Sequence, residues 1–185
     1  LQRDALLHIR SQLIHTIAAL ADFADRYKDL QTLAWTHYQA AQPTTVGKRA
    51  TLWMQDLMMD LDHLDFTLSR LRLHGCRGTT GTGASFLELF DGDADKVRAL
   101  EKKIAAKMGF ASVYPVSGQT YTRKVDYFAL SVLSGIAQSA MKFSGDIRLL
   151  SHMKEVDEPF EAGQVGSSAM AYKRNPMRSE RITSL

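Results

Sequence analysis

The sequence predicts an all-α fold, a bundle of long helices of the kind that packs side by side. Two observations carry that expectation. Apolar residues recur at helical spacing through three long segments, in heptads through the first two, and no segment shows the two-residue alternation of a half-buried strand.

The first helix is expected from Leu6 to Leu30. Leu6, Leu13, Leu20 and Tyr27 form one heptad line, and Ile9, Ile17 and Leu30 widen it into an amphipathic stripe. From Thr36 to Thr45 the period breaks. Pro43 turns the chain, and the two threonines after it offer hydroxyls to cap a helix starting near Val46. In that second helix Ala50, Leu57, Leu64 and Leu71 form one line and Met54, Leu61 and Leu68 another, sustaining the 3.5-residue period. Residues 74–83 then interrupt with Gly75, Gly78, Gly81 and Gly83, a loop whose backbone N–H groups can approach an anion. No Lys-Ser/Thr follows, so it is not a Walker loop, and a plain surface turn satisfies the same residues. Asp93 to Met108 reads as a shorter charged helix, and Val113 to Val116 as an extended piece ahead of a turn. The third long helix is expected from Thr122 to about Met153, with Val125, Val132, Ile136, Phe143, Ile147 and Leu150 at helical spacing. Its Gly135 and Gly145 allow a neighbouring helix to come close.

Trp53, Met54, Leu57, Met58 and Leu61 make more than one side of the second helix apolar. One side then packs within the chain and the other against another subunit, so an oligomer is expected; a wide core-facing stripe in a monomer is the alternative.

Composition bounds the function. At 185 residues the chain is one domain or at most two, and 45% hydrophobic with 23% charged residues excludes a disordered polymer. A fold of this size buries roughly 70% of the surface its unfolded chain exposes, enough without disulfides or a structural metal. Twenty-three Lys and Arg against 20 Asp and Glu give a net charge of +3, compatible with an anionic ligand but short of a nucleic-acid footprint. The single cysteine, Cys76, excludes an intramolecular disulfide scaffold. No run approaches the ~20 apolar residues of a membrane span, and the start lacks a basic region followed by an apolar one, so the chain reads as cytosolic. It opens at Leu1 within an amphipathic segment and stops at Leu185 soon after a polar loop, the pattern of an excised piece.

Three polar segments carry candidate chemistry. The first, residues 36–45, places His37 between long helices among hydrogen-bonding side chains, and an imidazole there can serve as general acid or base. His8, His15, His63, His74 and His152 show no metal-ligand spacing and are read as structural or exposed. The second, Ser117 to Lys124, sets Gln119 and cationic side chains at the start of the third long helix, where free N–H groups favour an anion. The third, Gly163 to Arg181, is Gly/Ser-rich at its start and cationic at its end, suited to clamp a nucleotide or polycarboxylate; a disordered tail or a basic surface patch has the same composition.

Within the third segment, Gly166-Ser167-Ser168-Ala169-Met170-Ala171-Tyr172-Lys173-Arg174-Asn175-Pro176 resembles the signature loop of the fumarase/aspartase superfamily, Gly-Ser-Ser-x-Met-Pro-x-Lys-x-Asn-Pro. The continuation Met177-Arg178-Ser179-Glu180-Arg181, the run from Thr36 to Arg49, the Gly78-Thr79-Thr80-Gly81-Thr82 loop and Ser117 to Tyr121 resemble, in that order-specific combination, the adenylosuccinate-cleaving branch of the superfamily. The resemblance spans residues 1–185 but covers only the central helical domain of that family, with residues 163–181 as its mobile loop. One position departs: Ala171 stands where the loop has proline, which frees a φ and adds conformations to lose on closure.

The resemblance implies a lyase that splits adenylosuccinate into AMP and fumarate, and performs the same β-elimination on the succinylated aminoimidazole carboxamide ribotide of purine synthesis. It implies no metal and no organic cofactor. Ser167 matches the base for the carbon-bound proton, with Ser168 its nearest rival, and His37 matches the acid for the departing nitrogen. Thr36, Gln119, Lys173, Asn175 and Arg181 match substrate contacts. A serine is a poor base in water, so its alkoxide needs stabilising, and Lys173 with loop N–H groups is the physical candidate. The family assembles as homotetramers whose active sites draw on three subunits, so these residues come from different chains. Argininosuccinate lyase, fumarase and aspartase share the signature and stay open as alternatives, as does a non-catalytic helical assembly module.

Overall fold

The computed structural model describes residues 1–161 and 163–185. In chain order its elements are α1 (Gln2–Arg26), β1 (Gln31–Thr36), β2 (Gln39–Thr45), α2 (Val46–Arg70), α3 (Ala84–Leu89), α4 (Ala94–Lys107), α5 (Lys124–His152) and α6 (Met177–Ser184). The chain is mostly helical, as the periodicity predicts. It divides into two compact units, one of Leu1–Arg3 with Asp65–Ser131 and one of Asp4–Leu64 with Val132–Leu185.

In the second unit α1, α2 and α5 share an apolar core of Ala24, Ala50, Trp53 and Leu150, extended by Leu20, Phe143, Ile147, Met153 and Val156. Trp53 meets Phe143 edge-on, ring centroids 4.9 Å apart. Three polar contacts run along the α2–α5 seam: Trp53 Nε1 donates to Asp146 Oδ2 at 2.7 Å, Lys142 Nζ to Asp56 Oδ2 at 2.6 Å, and Ser139 Oγ to Asp60 Oδ2 at 2.6 Å. Positions rise along α2 as they fall along α5, so the two helices are antiparallel. The start of α2 lies directly on the end of α1, where a Cβ on Gly47 would stand 2.3 Å from Ala24 O and 2.6 Å from Lys28 Cα.

The first helix ends at Arg26, four residues short of the predicted Leu30. Past that end the backbone turns to meet α2: Tyr27 O accepts from Gly47 N–H at 2.9 Å and Leu30 O from Val46 N–H at 2.9 Å, so both carbonyls serve the start of α2. The expected threonine cap is present, with Thr45 Oγ1 accepting from Lys48 N–H at 3.1 Å. The third long helix closes in a Schellman motif. Lys154 takes φ 62° as its N–H donates to Ser151 O at 3.2 Å, and Glu155 N–H donates to Leu150 O at 3.0 Å.

The first unit holds α3 and α4. Asp93 caps α4 by accepting from Asp95 and Lys96 N–H, each at 3.1 Å. The segment after α2 pairs in parallel with the segment after α4 through a bridge between Leu73 and Val113. Arg77 fastens that arrangement, gripping Glu101 through two nitrogens at 2.7 and 3.0 Å while donating to Pro115 O at 2.6 Å. The bond to Glu101 is the main reason the Arg77 guanidinium is held even further above its ordinary value.

Leu52, Met58, Met59 and Phe66 on α2, with Leu130 and Met141 on α5, remain exposed. No helix among the described residues is long and apolar enough to cross a membrane.

Candidate active site

The segment read as a break between helices is a β-hairpin. Its strands pair antiparallel from Gln31 opposite Thr45 to Thr36 opposite Gln39, leaving His37 and Tyr38 as a two-residue turn. Both turn residues have positive φ, 52° and 58°, the requirement of a type I′ turn. A left-handed conformation costs a residue with a Cβ about 1–2 kcal/mol, so the tip stores strain at the predicted acid. Such strain gathers at functional sites. Thr36 ends β1, and Thr36 and His37 both stand exposed. The pairing shifts register between Leu33 and Trp35, where Ala41 and Gln42 of β2 oppose Ala34, a bulge that adds twist to the ribbon.

The signature loop folds on itself. Asn175 Nδ2 donates to Gly166 O at 2.8 Å, and a Cβ on Gly166 would stand 2.3 Å from Lys173 O, so the two arms touch backbone to backbone. That closure gathers Ser167, Lys173 and Asn175 in one turn of chain. Ser167 Oγ accepts from the N–H groups of Ala169 at 3.4 Å and Met170 at 3.3 Å, long bonds that nonetheless put two donors on this hydroxyl oxygen. Ser168 and Lys173 are exposed. The Arg174 guanidinium lies 4.1 Å from the centre of the Phe160 ring.

At the loop's exit Glu158 caps α6, accepting from Arg178 N–H at 3.0 Å, Ser179 N–H at 2.8 Å and Ser179 Oγ at 2.6 Å. Burial opposes ionisation of Glu158, but the two Ser179 bonds and the Arg178 N–H together outweigh it and hold the carboxyl below its ordinary value. Arg181 sits on α6, exposed, one turn after that cap.

Gln119 belongs to the other unit. There a Cβ on Gly81 would fall 1.8 Å from Ser117 O, so the Thr79–Thr82 loop lies directly against the segment that carries Gln119. The start of α5 is already supplied with a carboxylate. Asp126 accepts from Tyr121 Oη at 2.9 Å and lies 3.3 Å from Arg123, contacts that hold its carboxyl below the usual range, the Tyr121 bond first. Arg123 is therefore engaged within its own turn, and Gln119 stands exposed ahead of it.

Sequence reasoning missed the residues that fix these pieces. Trp35, Glu155 and Glu158 lie outside every motif singled out above, and Arg49 closes one without a role assigned to it; the cue for the glutamates is their spacing, three apart, ahead of Pro159 and just past the expected end of α5.

A family described as Lyase matches residues 1–185, and the chain belongs to it, within the fumarase/aspartase superfamily. Over 183 residues, 99% of this chain and 38% of the relative, it is 56% identical to the adenylosuccinate lyase of Saccharomyces cerevisiae. It is 54% identical to that of Schizosaccharomyces pombe over 98% of this chain, and 30% identical to that of Pyrococcus abyssi over 99%. The chain thus spans 38% of the length of the two fungal relatives. Among solved structures, the 3-carboxy-cis,cis-muconate lactonizing enzyme of Pseudomonas putida superposes with a TM-score of 0.80 at 27% identity, over 98% of this chain and 39% of that one. The fumarate lyase of Mesorhizobium sp. BNC1 shares the fold, with a TM-score of 0.78 at 21% identity, over 98% and 38%.

Proposed function

We propose that the complete protein is a cytoplasmic adenylosuccinate lyase, eliminating fumarate from adenylosuccinate to leave AMP and acting in the same way on the succinylated aminoimidazole carboxamide ribotide. The observation that carries the reading is 56% identity to a protein of that name along this whole segment, with Ser167, Ser168, Lys173 and Asn175 retained in the signature loop.

In the elimination Ser167, as its alkoxide, takes the proton from the succinyl carbon next to the carboxylate and becomes the hydroxyl, and the electron pair forms the new double bond as the carbon–nitrogen bond breaks. His37 gives its proton to the departing nitrogen. Ser167 is favoured over Ser168 because two N–H groups face its oxygen, at 3.4 and 3.3 Å; shortened on substrate binding, such bonds lower the cost of an alkoxide. Lys173, on the same loop, is the cation proposed to stabilise it when the site closes. Thr36, Gln119, Asn175 and Arg181 bind the substrate, whose carboxylates and phosphate suit a chain of mildly positive charge.

The exposed apolar residues of α2 and α5 suit a homotetramer, in which the hairpin, the Gln119 segment and the signature loop of different chains complete each site. The test is fumarate release from adenylosuccinate by the purified complete protein, with its mass by light scattering. Equimolar fumarate and AMP from a tetramer is the expected result. Failure to cleave adenylosuccinate, or preference for argininosuccinate, overturns the reading.

A further inference from the structure

A two-stranded ribbon is marginal in water by itself, and most of this hairpin is exposed. What grips it decides where His37 stands. Val46 and Gly47 close its root through the backbone, and the side-chain grip converges on one carboxylate. Glu155 Oε2 accepts from Thr32 Oγ1 at 3.0 Å, and its Oε1 accepts from Trp35 Nε1 at 2.7 Å. Arg49 Nη1 lies 3.4 Å from Glu155 Oε2 while its Nη2 donates to Leu33 O at 2.7 Å. The Arg49 and Glu155 side chains are only 13% and 20% exposed, which strengthens such bonds relative to a solvated surface.

Glu155 is itself aimed by the Schellman turn that ends α5. On the hairpin side, its indole partner Trp35 precedes His37 by two residues. The carboxylate therefore holds the strand immediately before the strained turn, from a helix end that belongs to the core of the unit.

We propose that Glu155 is a positioning residue for His37: it locks β1 so that the imidazole at the tip meets the departing nitrogen without searching for it. The inference rests on the lyase reading above. Glu155 moves no proton; it acts through Trp35, Thr32 and Arg49. Displacement of a reacting group by 1 Å can cost on the order of 100-fold in rate, and a loosened ribbon allows more than that.

The test uses the complete protein, with kcat and KM for adenylosuccinate, light scattering, and hydrogen exchange of the hairpin amides. Glu155→Ala is expected to lower kcat about 10- to 100-fold with KM changed less than about threefold, and to speed exchange across residues 31–45. The decisive arm is His37→Gln. In that background Glu155→Ala is expected to lower the residual rate no further, because a residue acting through the imidazole has nothing left to position. Trp35→Phe, which removes the indole donor and keeps a ring, is expected to act in the same direction and serves if Glu155→Ala fails to fold. The proposal is overturned by a kcat within twofold of the parent for the variant that folds, or by a loss that persists in full in the His37→Gln background. A His37→Gln protein with normal turnover instead overturns the lyase mechanism itself, so the two failures are distinct.

Discussion

Gly81 and Ser117 meet backbone to backbone: a methyl group on Gly81 would lie 1.8 Å from the Ser117 carbonyl oxygen and 2.9 Å from Gly118 Cα. Gly81 also has φ 76°, so any side chain there is penalised twice. Left-handed strain and overpacking together give an expected destabilisation of about 2–4 kcal/mol for Gly81→Ala. The displaced partner is the segment carrying Gln119, so KM for adenylosuccinate should rise as well. Gly78→Ala is the control: Gly78 has φ 77° but nothing within 4 Å, and only the strain of about 1–2 kcal/mol should register. Denaturant midpoints of the two variants check the difference.

The α2–α5 seam offers a second prediction. Trp53 is 7% exposed, and its indole N–H is satisfied by Asp146. Asp146→Ala strands that donor in the core and should cost about 1–3 kcal/mol, whereas Asp146→Asn keeps an acceptor and should cost less. Thermal unfolding of both variants measures the gap.

These residues also show what the sequence makes legible. Helical spacing of apolar residues located α1, α2 and α5, because burial of one face repeats every turn and leaves a period in the chain. The hairpin left none. Its turn, His37-Tyr38, lacks the Asn-Gly or Asp-Gly that usually announces a type I′ turn, and β2 contains Ala40, Ala41 and Pro43, poor strand formers. The two short helices α3 and α6 are too brief for a period to emerge. Candidate site residues were found through the resemblance of their motifs, whereas Glu155, which holds the hairpin, acts through tertiary bonds to residues over 100 positions away. No local pattern encodes such a bond.

The cap on α6 should make stability depend on pH. The Glu158 carboxyl is held below its ordinary value in the folded chain, so its contribution is complete above about pH 4.5, the ordinary value, and is lost as pH falls through the lower folded value. Glu158→Gln removes that titration. The variant's stability should therefore fall less steeply than the parent's from pH 5 downward, in urea unfolding followed by circular dichroism across that range.

The central claim, that Ser167 on the signature loop takes the carbon-bound proton, is tested most directly by fumarate release from adenylosuccinate by the complete protein carrying Ser167→Ala, followed by absorbance. The account predicts that this variant still binds adenylosuccinate but loses at least about 100-fold in kcat, as loss of a general base does, while Ser168→Ala is milder. Fumarate release by Ser167→Ala within tenfold of the parent rate would contradict it.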